Sequence, residues 1–253
     1  MIYFNGCSFT YGYELKDIYG SRFSKLVSNN FKEEEWNNAK VGSSNARIWR
    51  TTMTDVILKK PKLVVLMWSG PNREEYFHYA RGKWGWKNAT WKKYGVNSSN
   101  YQAMDDCGVS KSVDQSKLHY DSMNNYMKHV RNVPWNLRYT LQYMLSVKYF
   151  LKAMDVPYLF YTFSSTQYVK FLDLLDWETW DCTSADSISI ELSKDQILKE
   201  LPFIAEPGFY DYCKLNNLKI GKKDHPLEEA HEWMAEKIIK DIKKNGLDER
   251  IAG

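Results

Sequence analysis

Four short stretches of this 253-residue sequence hold side chains suited to acyl-group chemistry. Gly6-Cys7-Ser8 supplies a hydroxyl, and Gly42-Ser43-Ser44-Asn45 a glycine followed by polar residues. Gly70-Pro71-Asn72 supplies a side-chain amide, and Asp224-His225-Pro226 an imidazole. A serine hydroxyl is a poor nucleophile until a base takes its proton, and histidine titrates in the range that suits this task. The tetrahedral intermediate then carries an oxyanion that fixed N–H donors must hold. A glycine lets the backbone come close to it with no Cβ in the way. Hydroxyl, glycine, amide and imidazole are together the parts that ester hydrolysis needs.

Such side chains act only if the chain brings them to one place. Ile2-Tyr3-Phe4 reads as a strand, and Gly6 to Gly12 as the tight loop that ends it. Tyr19 to Phe31 reads as a helix with Phe23, Leu26 and Val27 on one side, and Trp36 to Lys40 as a short strand. A helix capped by Ser43 or Ser44 runs up to Pro61, with Ile48, Thr52 and Val56 recurring four apart. Leu63 to Trp68 is apolar without alternation, the pattern of a strand covered on both faces. Pro134 opens a helix through Ala153, Pro157 to Phe163 is another buried strand, and Leu218 to Ile220 a last short one. Pro226 to Lys244 is the final helix, with Pro226 in its first turn, Leu227, Ala230, Met234, Ile238 and Ile242 as its apolar stripe, and Gly246 at its end.

Strand and helix alternate, which predicts an α/β fold: a three-layer α/β/α sandwich around a central parallel sheet. In such sheets ligands gather beyond the carboxyl ends of the strands, where three of the four stretches fall. The fourth falls at the start of the last helix. The chain reads as one domain over 1–253, with insertions at about 73–132 and 164–207. Both insertions are aromatic-rich and are expected to cap or wall a groove. No internal repeat, dinucleotide-binding glycine motif or P-loop is present.

Composition narrows the partners. The net charge of +4 and the scattered basic pairs argue against nucleic acid. No cationic segment followed by an apolar stretch opens the chain, and no run reaches membrane-span length, so a cytoplasmic, membrane-free protein is expected. Cys7, Cys107, Cys182 and Cys213 form no CxxC pair, which predicts free thiols and no zinc ribbon. No cofactor is called for. His231 falls on the apolar stripe of the last helix and reads as a core histidine. With Asp224 and His225 it fits no zinc spacing. The 10 Trp and 18 Tyr fill cores, but such rings also line sugar-binding grooves.

The order Ser8, Gly42, Asn72, His225 within these local motifs resembles the SGNH (GDSL-type) hydrolase superfamily. The Gly-Cys-Ser-Phe-Thr start and the Gly-Ser-Ser-Asn block look like versions found in phage-encoded members. The resemblance implies a flavodoxin-like SGNH fold and a serine esterase or deacetylase. Ser8 would attack an acyl ester, and His225 would serve as general base and then acid. The Ser8 and Gly42 backbone N–H groups with the Asn72 side chain would form the oxyanion hole. A virion or host-cytosol location follows if the gene is phage-borne.

Three positions depart from the family pattern. Cys7 stands where Asp is common, Arg73 follows Asn72 where Asp is common, and Lys222 stands three residues before the histidine, where the orienting Asp usually lies. Three readings of the imidazole's partner follow: Asp224 after a shift in the loop, a backbone carbonyl in a Ser-His dyad, or a weakened site. The substrate expected is a small-molecule or glycan ester. Asn45, Arg73, Trp84, Trp86 and Trp177 are candidate substrate contacts, alongside Trp91 and Trp180, although Asn45 reads more simply as a brace at a helix start. A non-catalytic glycan-binding or virion-associated module and an O-acyltransferase are the competing readings.

Overall fold

The structure, a computed structural model, describes residues 1–71, 73–80, 83–90, 133–173 and 193–252. Its strands are β1 (Ile2–Asn5), β2 (Glu35–Asn37), β3 (Leu63–Trp68), β4 (Arg73–Ala80), β5 (Lys83–Thr90) and β6 (Tyr158–Thr162). Its helices are α1 (Ser8–Tyr11), α2 (Ile18–Ser21), α3 (Phe23–Asn30), α4 (Asn45–Lys59), α5 (Val133–Ala153), α6 (Ser165–Leu172), α7 (Lys194–Glu200), α8 (Phe209–Leu215), α9 (Glu228–Lys244) and α10 (Leu247–Ala252).

The central sheet has the order β2-β1-β3-β6, and every pairing in it is parallel. Its apolar strands are covered on both faces, and side-chain alternation sorts their residues between two cores. Ile2, Phe4, Leu63, Val65 and Met67 pack with Phe23 and Val27 of α3 and Ala230, Met234 and Ile238 of α9. Tyr3, Val64, Leu66 and Trp68 pack on the other side with Ile48 and Val56 of α4 and Leu137, Leu141 and Met144 of α5. Each such side chain, taken out of water, contributes about 1.5–3 kcal/mol. The unbroken apolar run Leu63–Trp68 follows directly, because neither face meets solvent.

From β1 the chain goes outward to β2 and then returns to lay β3 on the other side of β1. The direction of winding therefore changes between β1 and β3, and the loops leaving their carboxyl ends part there to leave a crevice. Ser8 follows β1 and Gly70 follows β3, so both stand at this point.

The expected elements shift in detail. Arg22 is extended (ψ 143) and divides the Tyr19–Phe31 helix into α2 and α3. The excursion at 164–207 is helical where described, in α6 and α7 with a short turn at Pro202–Ile204. Leu218–Ile220 forms no strand; Ile220 makes an isolated bridge to Pro226. That bridge holds Pro226 outside α9, whose N-cap is Leu227. Of the 73–132 insertion, the described part is the antiparallel hairpin β4–β5, with Arg73 opposite Thr90 and Phe77 opposite Trp86. Trp91 and the rest of that insertion lie outside the described residues, as do Trp177 and Trp180. Cys7 and Cys213 are buried free thiols, and Cys107 and Cys182 are not among the described residues. Among the described residues no helix is long and apolar enough to cross a membrane.

Candidate active site

The first loop is held from below. Asn5, fully buried at the end of β1, accepts the Gly6 N–H at 2.8 Å, and its amide reaches Thr51 and Thr52 of α4 at 2.9 and 3.0 Å. A Cβ on Gly6 would lie 2.1 Å from Thr10 Oγ1 and 2.9 Å from Met67 O, so only glycine fits between the loop and β3. The chain then coils once. Cys7 is extended, Ser8 is the first helical residue, and Gly12 ends the turn at φ 86. Ser8 is 2% exposed.

The second and third loops are tied to the first and to each other. Lys40 N–H donates to Gly6 O at 3.4 Å. Asn45 Oδ1 accepts the Ser69 N–H at 2.8 Å while its Nδ2 donates to Ser69 O at 2.9 Å. Tyr168 OH donates to the same carbonyl. Arg73 Nη1 makes a long contact, 3.5 Å, to Ser43 O. Gly42 turns at φ 78, a conformation that other L residues enter at a cost. Among the described residues no backbone carbonyl accepts the N–H of Ser8 or of Gly42.

His225 sits on a tight loop. Gly221 N–H donates to His225 O at 2.8 Å and Asp224 N–H to Gly221 O at 3.0 Å, with Asp224 at φ 62. This is a three-residue connection closed by a left-handed residue. The imidazole lies between the Phe9 and Tyr13 rings, with centroids 5.3 and 5.0 Å away. Its Nε2 is 2.8 Å from Ser8 Oγ. Its Nδ1 is 3.0 Å from Glu14 Oε2.

Glu14 reaches this position because the chain reverses after Gly12. Glu14 itself is left-handed, at φ 74, a strained conformation for a residue with a Cβ. Its carboxylate accepts the Lys223 N–H at 3.0 and 2.9 Å through its two oxygens. A Cβ on Gly221 would lie 2.7 Å from Glu14 Cδ, so the loop carrying the histidine must be bare where the acid passes. Lys223 Nζ donates to Tyr13 OH at 2.8 Å and lies over that ring, which fixes the ring against the imidazole.

An ionised carboxylate only accepts hydrogen bonds, so Glu14 assigns the proton to Nδ1 and leaves Nε2 to accept from Ser8 Oγ–H. Burial tends to push the Glu14 carboxyl up, but the hydrogen bonds from His225 and the Lys223 N–H outweigh it and hold Glu14 below the ordinary carboxylate value. Burial holds His225 below the ordinary imidazole value; the Glu14 hydrogen bond and charge oppose this, and the Arg73 charge adds to it. At neutral pH the imidazole is an unprotonated acceptor facing a hydroxyl, and the pair can pass a proton from Ser8 Oγ to Nε2.

Ser8 and His225 are thus brought together, Gly42 turns in the second loop, and Asn72 lies outside the described residues. Asp224 is not the partner of Nδ1. Its left-handed backbone makes the turn, and neighbouring side chains diverge. Asn45 is a brace and not a substrate contact: it is 1% exposed and both ends of its amide are bonded to Ser69. Arg73 lies at the edge of the site. Trp84 and Trp86 lie in β5. His231 is a core histidine, stacked on Phe23 (5.6 Å, 17°) with Nδ1 accepting the Phe23 N–H at 3.2 Å. Among the described residues no three metal-ligating side chains gather.

Glu14, the partner of His225 Nδ1, is the residue of the candidate site that the sequence reading missed. One signal was present. The loop after Ser8 carries two acids, and Asp17 with Gly20 three residues on reads as a helix cap, which Asp17 is: its Oδ1 accepts the Gly20 N–H at 2.9 Å. That leaves Glu14 as the uncommitted acid on the serine's own loop. No protein-family model matches the chain, and no curated protein matches it.

Proposed function

We propose that the chain is a serine-dependent ester hydrolase of the SGNH (GDSL) type with a flavodoxin-like sheet, in which glutamate from the first loop replaces the usual acid beside the histidine. The observation that carries this reading is the unbroken line Glu14–His225–Ser8, with contacts of 3.0 and 2.8 Å. The strand order and the position of Ser8 at the change of winding support it.

Ser8 Oγ attacks the acyl carbonyl carbon as its proton passes to His225 Nε2. The imidazolium that forms is stabilised by Glu14. The oxyanion is held by the N–H groups of Ser8 and Gly42, with Asn72 as the third donor by its family position. One such donor is worth about 3 kcal/mol of barrier. Collapse of the intermediate expels the alcohol, which takes the proton from Nε2, and leaves an acyl ester on Ser8. Water, activated by the same nitrogen, then attacks that ester and releases the acid and the free serine. No metal or cofactor enters these steps. The Glu14–His225 contact supplies the acid that Lys222 does not, which supports the catalytic reading over the non-catalytic one. A glycan carrier remains a proposal that rests on the aromatic insertions.

The test is hydrolysis of a 4-nitrophenyl short-chain ester by the wild type and by Ser8→Ala. Turnover by the wild type that Ser8→Ala abolishes supports the reading. Equal activity or equal inertness of the two removes it. Adding a sugar alcohol and analysing products separates hydrolysis from acyl transfer: an acylated sugar in place of free acid would make the chain a transferase.

A further inference from the structure

Arg73 opens β4, immediately after the third loop of the site. Its guanidinium carbon lies 5.9 Å above the Phe163 ring, Phe163 lies 5.4 Å from the Phe9 ring, and Phe9 lies 5.3 Å from the His225 ring. Its Nη1 reaches Ser43 O, the carbonyl next to Gly42, at only 3.5 Å. Arg73 therefore stands between the oxyanion side of the crevice and the aromatic wall that carries the imidazole. Its charge is felt at His225, whose protonation it disfavours.

Among the described side chains no carboxylate pairs with Arg73, in contrast to Arg22, which forks onto Glu35 with two bonds of 2.8 Å. Glu14, the acid of the site, is engaged on the Nδ1 side of the imidazole, away from the reacting hydroxyl. Among the described side chains the guanidinium makes one long neutral hydrogen bond, and its planar fork matches a carboxylate. A positive charge beside a general base also makes that base weaker, which is a cost unless the charge serves the substrate.

We infer that Arg73 is a specificity residue that binds a carboxylate carried by the ester substrate within a few atoms of the scissile bond. This rests on the hydrolase reading of Ser8 and His225. The shared chemistry is an anionic ester, and the carboxylate belongs either to the alcohol half, as in an O-acylated acidic sugar, or to the acyl half, as in a dicarboxylic hemiester.

Two substrate pairs separate these sources. For the alcohol half, 4-acetoxybenzoate is compared with its neutral methyl ester. For the acyl half, monophenyl adipate is compared with phenyl hexanoate. In at least one pair the wild type favours the charged member by tenfold or more in kcat/KM at low salt, chiefly through KM. Arg73→Gln collapses that ratio toward one, Arg73→Lys gives an intermediate ratio, and added salt narrows it. Ratios that are the same in the wild type and Arg73→Gln for both pairs overturn the proposal while leaving Ser8-dependent hydrolysis intact. Binding reads the same residue without turnover. Calorimetric titration of 4-hydroxybenzoate and adipate into Ser8→Ala shows saturable binding of at least one, and Ser8→Ala/Arg73→Gln loses it. No binding, or equal binding by both variants, overturns the assignment of Arg73 whatever the fate of the esterase assay.

Discussion

Glu14 Oε2 and His225 Nδ1 lie 3.0 Å apart although 211 residues separate them in sequence. The acid comes from the loop that also carries the nucleophile, so one short segment, Ser8 to Glu14, supplies both neighbours of the imidazole. Replacing Glu14 by Gln keeps the size but removes the charge that stabilises the imidazolium and fixes the tautomer. Glu14→Gln is expected to lower kcat by about 10²–10⁴-fold. Asp224→Asn is expected to leave kcat within about twofold, since Nδ1 is bonded to Glu14 and the Asp224 charge is only the weakest of the influences on the imidazole. Ester-hydrolysis kinetics on the two variants decide between these acids. A large loss in Asp224→Asn with none in Glu14→Gln would return the orienting role to Asp224.

Gly221 bears on the same contact from the other side. An added methyl at this position meets the Glu14 carboxyl carbon at 2.7 Å, so Gly221→Ala must push the acid, the histidine loop or both. Misplacement of a catalytic pair by about 1 Å costs up to about 10²-fold in rate. The expected result is a loss in kcat of that order, with an unchanged far-ultraviolet circular dichroism spectrum. Full activity in Gly221→Ala would show that the carboxylate does not need its observed seat.

How much of this was legible depended on whether a signal was local. The strands were readable because Ile2–Phe4 and Leu63–Trp68 are apolar at every position, and α4 because Ser44 caps it through the Arg47 N–H. Ser8, Gly42 and His225 were readable because a glycine lies two residues before Ser8, Gly42 is itself the glycine of its loop, and Pro226 follows His225. Glu14 was not, because its role depends on two left-handed residues, Glu14 and Asp224, in loops that meet only in the fold. Aspartate enters positive φ more readily than most residues, but glutamate does not announce it. Family spacing pointed instead to Lys222, and adjacency to Asp224. The helix α7 did carry a readable mark, the capping box of Ser193 and Gln196.

Under the proposed hydrolase mechanism, the pH dependence of the reaction follows from the imidazole. Catalysis needs Nε2 unprotonated, so kcat/KM falls as pH drops through the His225 value. Burial sets that value below the ordinary one of about 6.5. Glu14 opposes the lowering, so removing its charge sends the value further down. The acid limb of the kcat/KM profile is therefore expected below about pH 6.5 in the wild type, and further toward acid in Glu14→Gln. A shift of that limb toward alkaline pH in the variant would contradict the carboxylate–imidazole pairing.

His231 gives the stability of the protein its own pH dependence, separate from the site. Burial pushes its imidazole down to about 3, with the His225 charge adding to the effect. The rings of Phe23 and Phe209 enclose it, and Nε2 has no hydrogen-bond partner among the described residues. In the unfolded chain the same group takes a proton near pH 6.5, so between about 6.5 and 3 the unfolded state holds one more proton than the folded state. Stability from this residue is full above that window and falls as pH drops through it, by up to about 1.4 kcal/mol per pH unit. Urea unfolding at a series of pH values tests this against His231→Gln, which offers the Phe23 N–H an acceptor but does not titrate. The wild-type slope is expected to exceed the variant's by up to one proton between pH 6 and 4, and carboxylates common to both cancel in the difference. Parallel slopes would mean that His231 is already charged, or already exposed, in the folded protein.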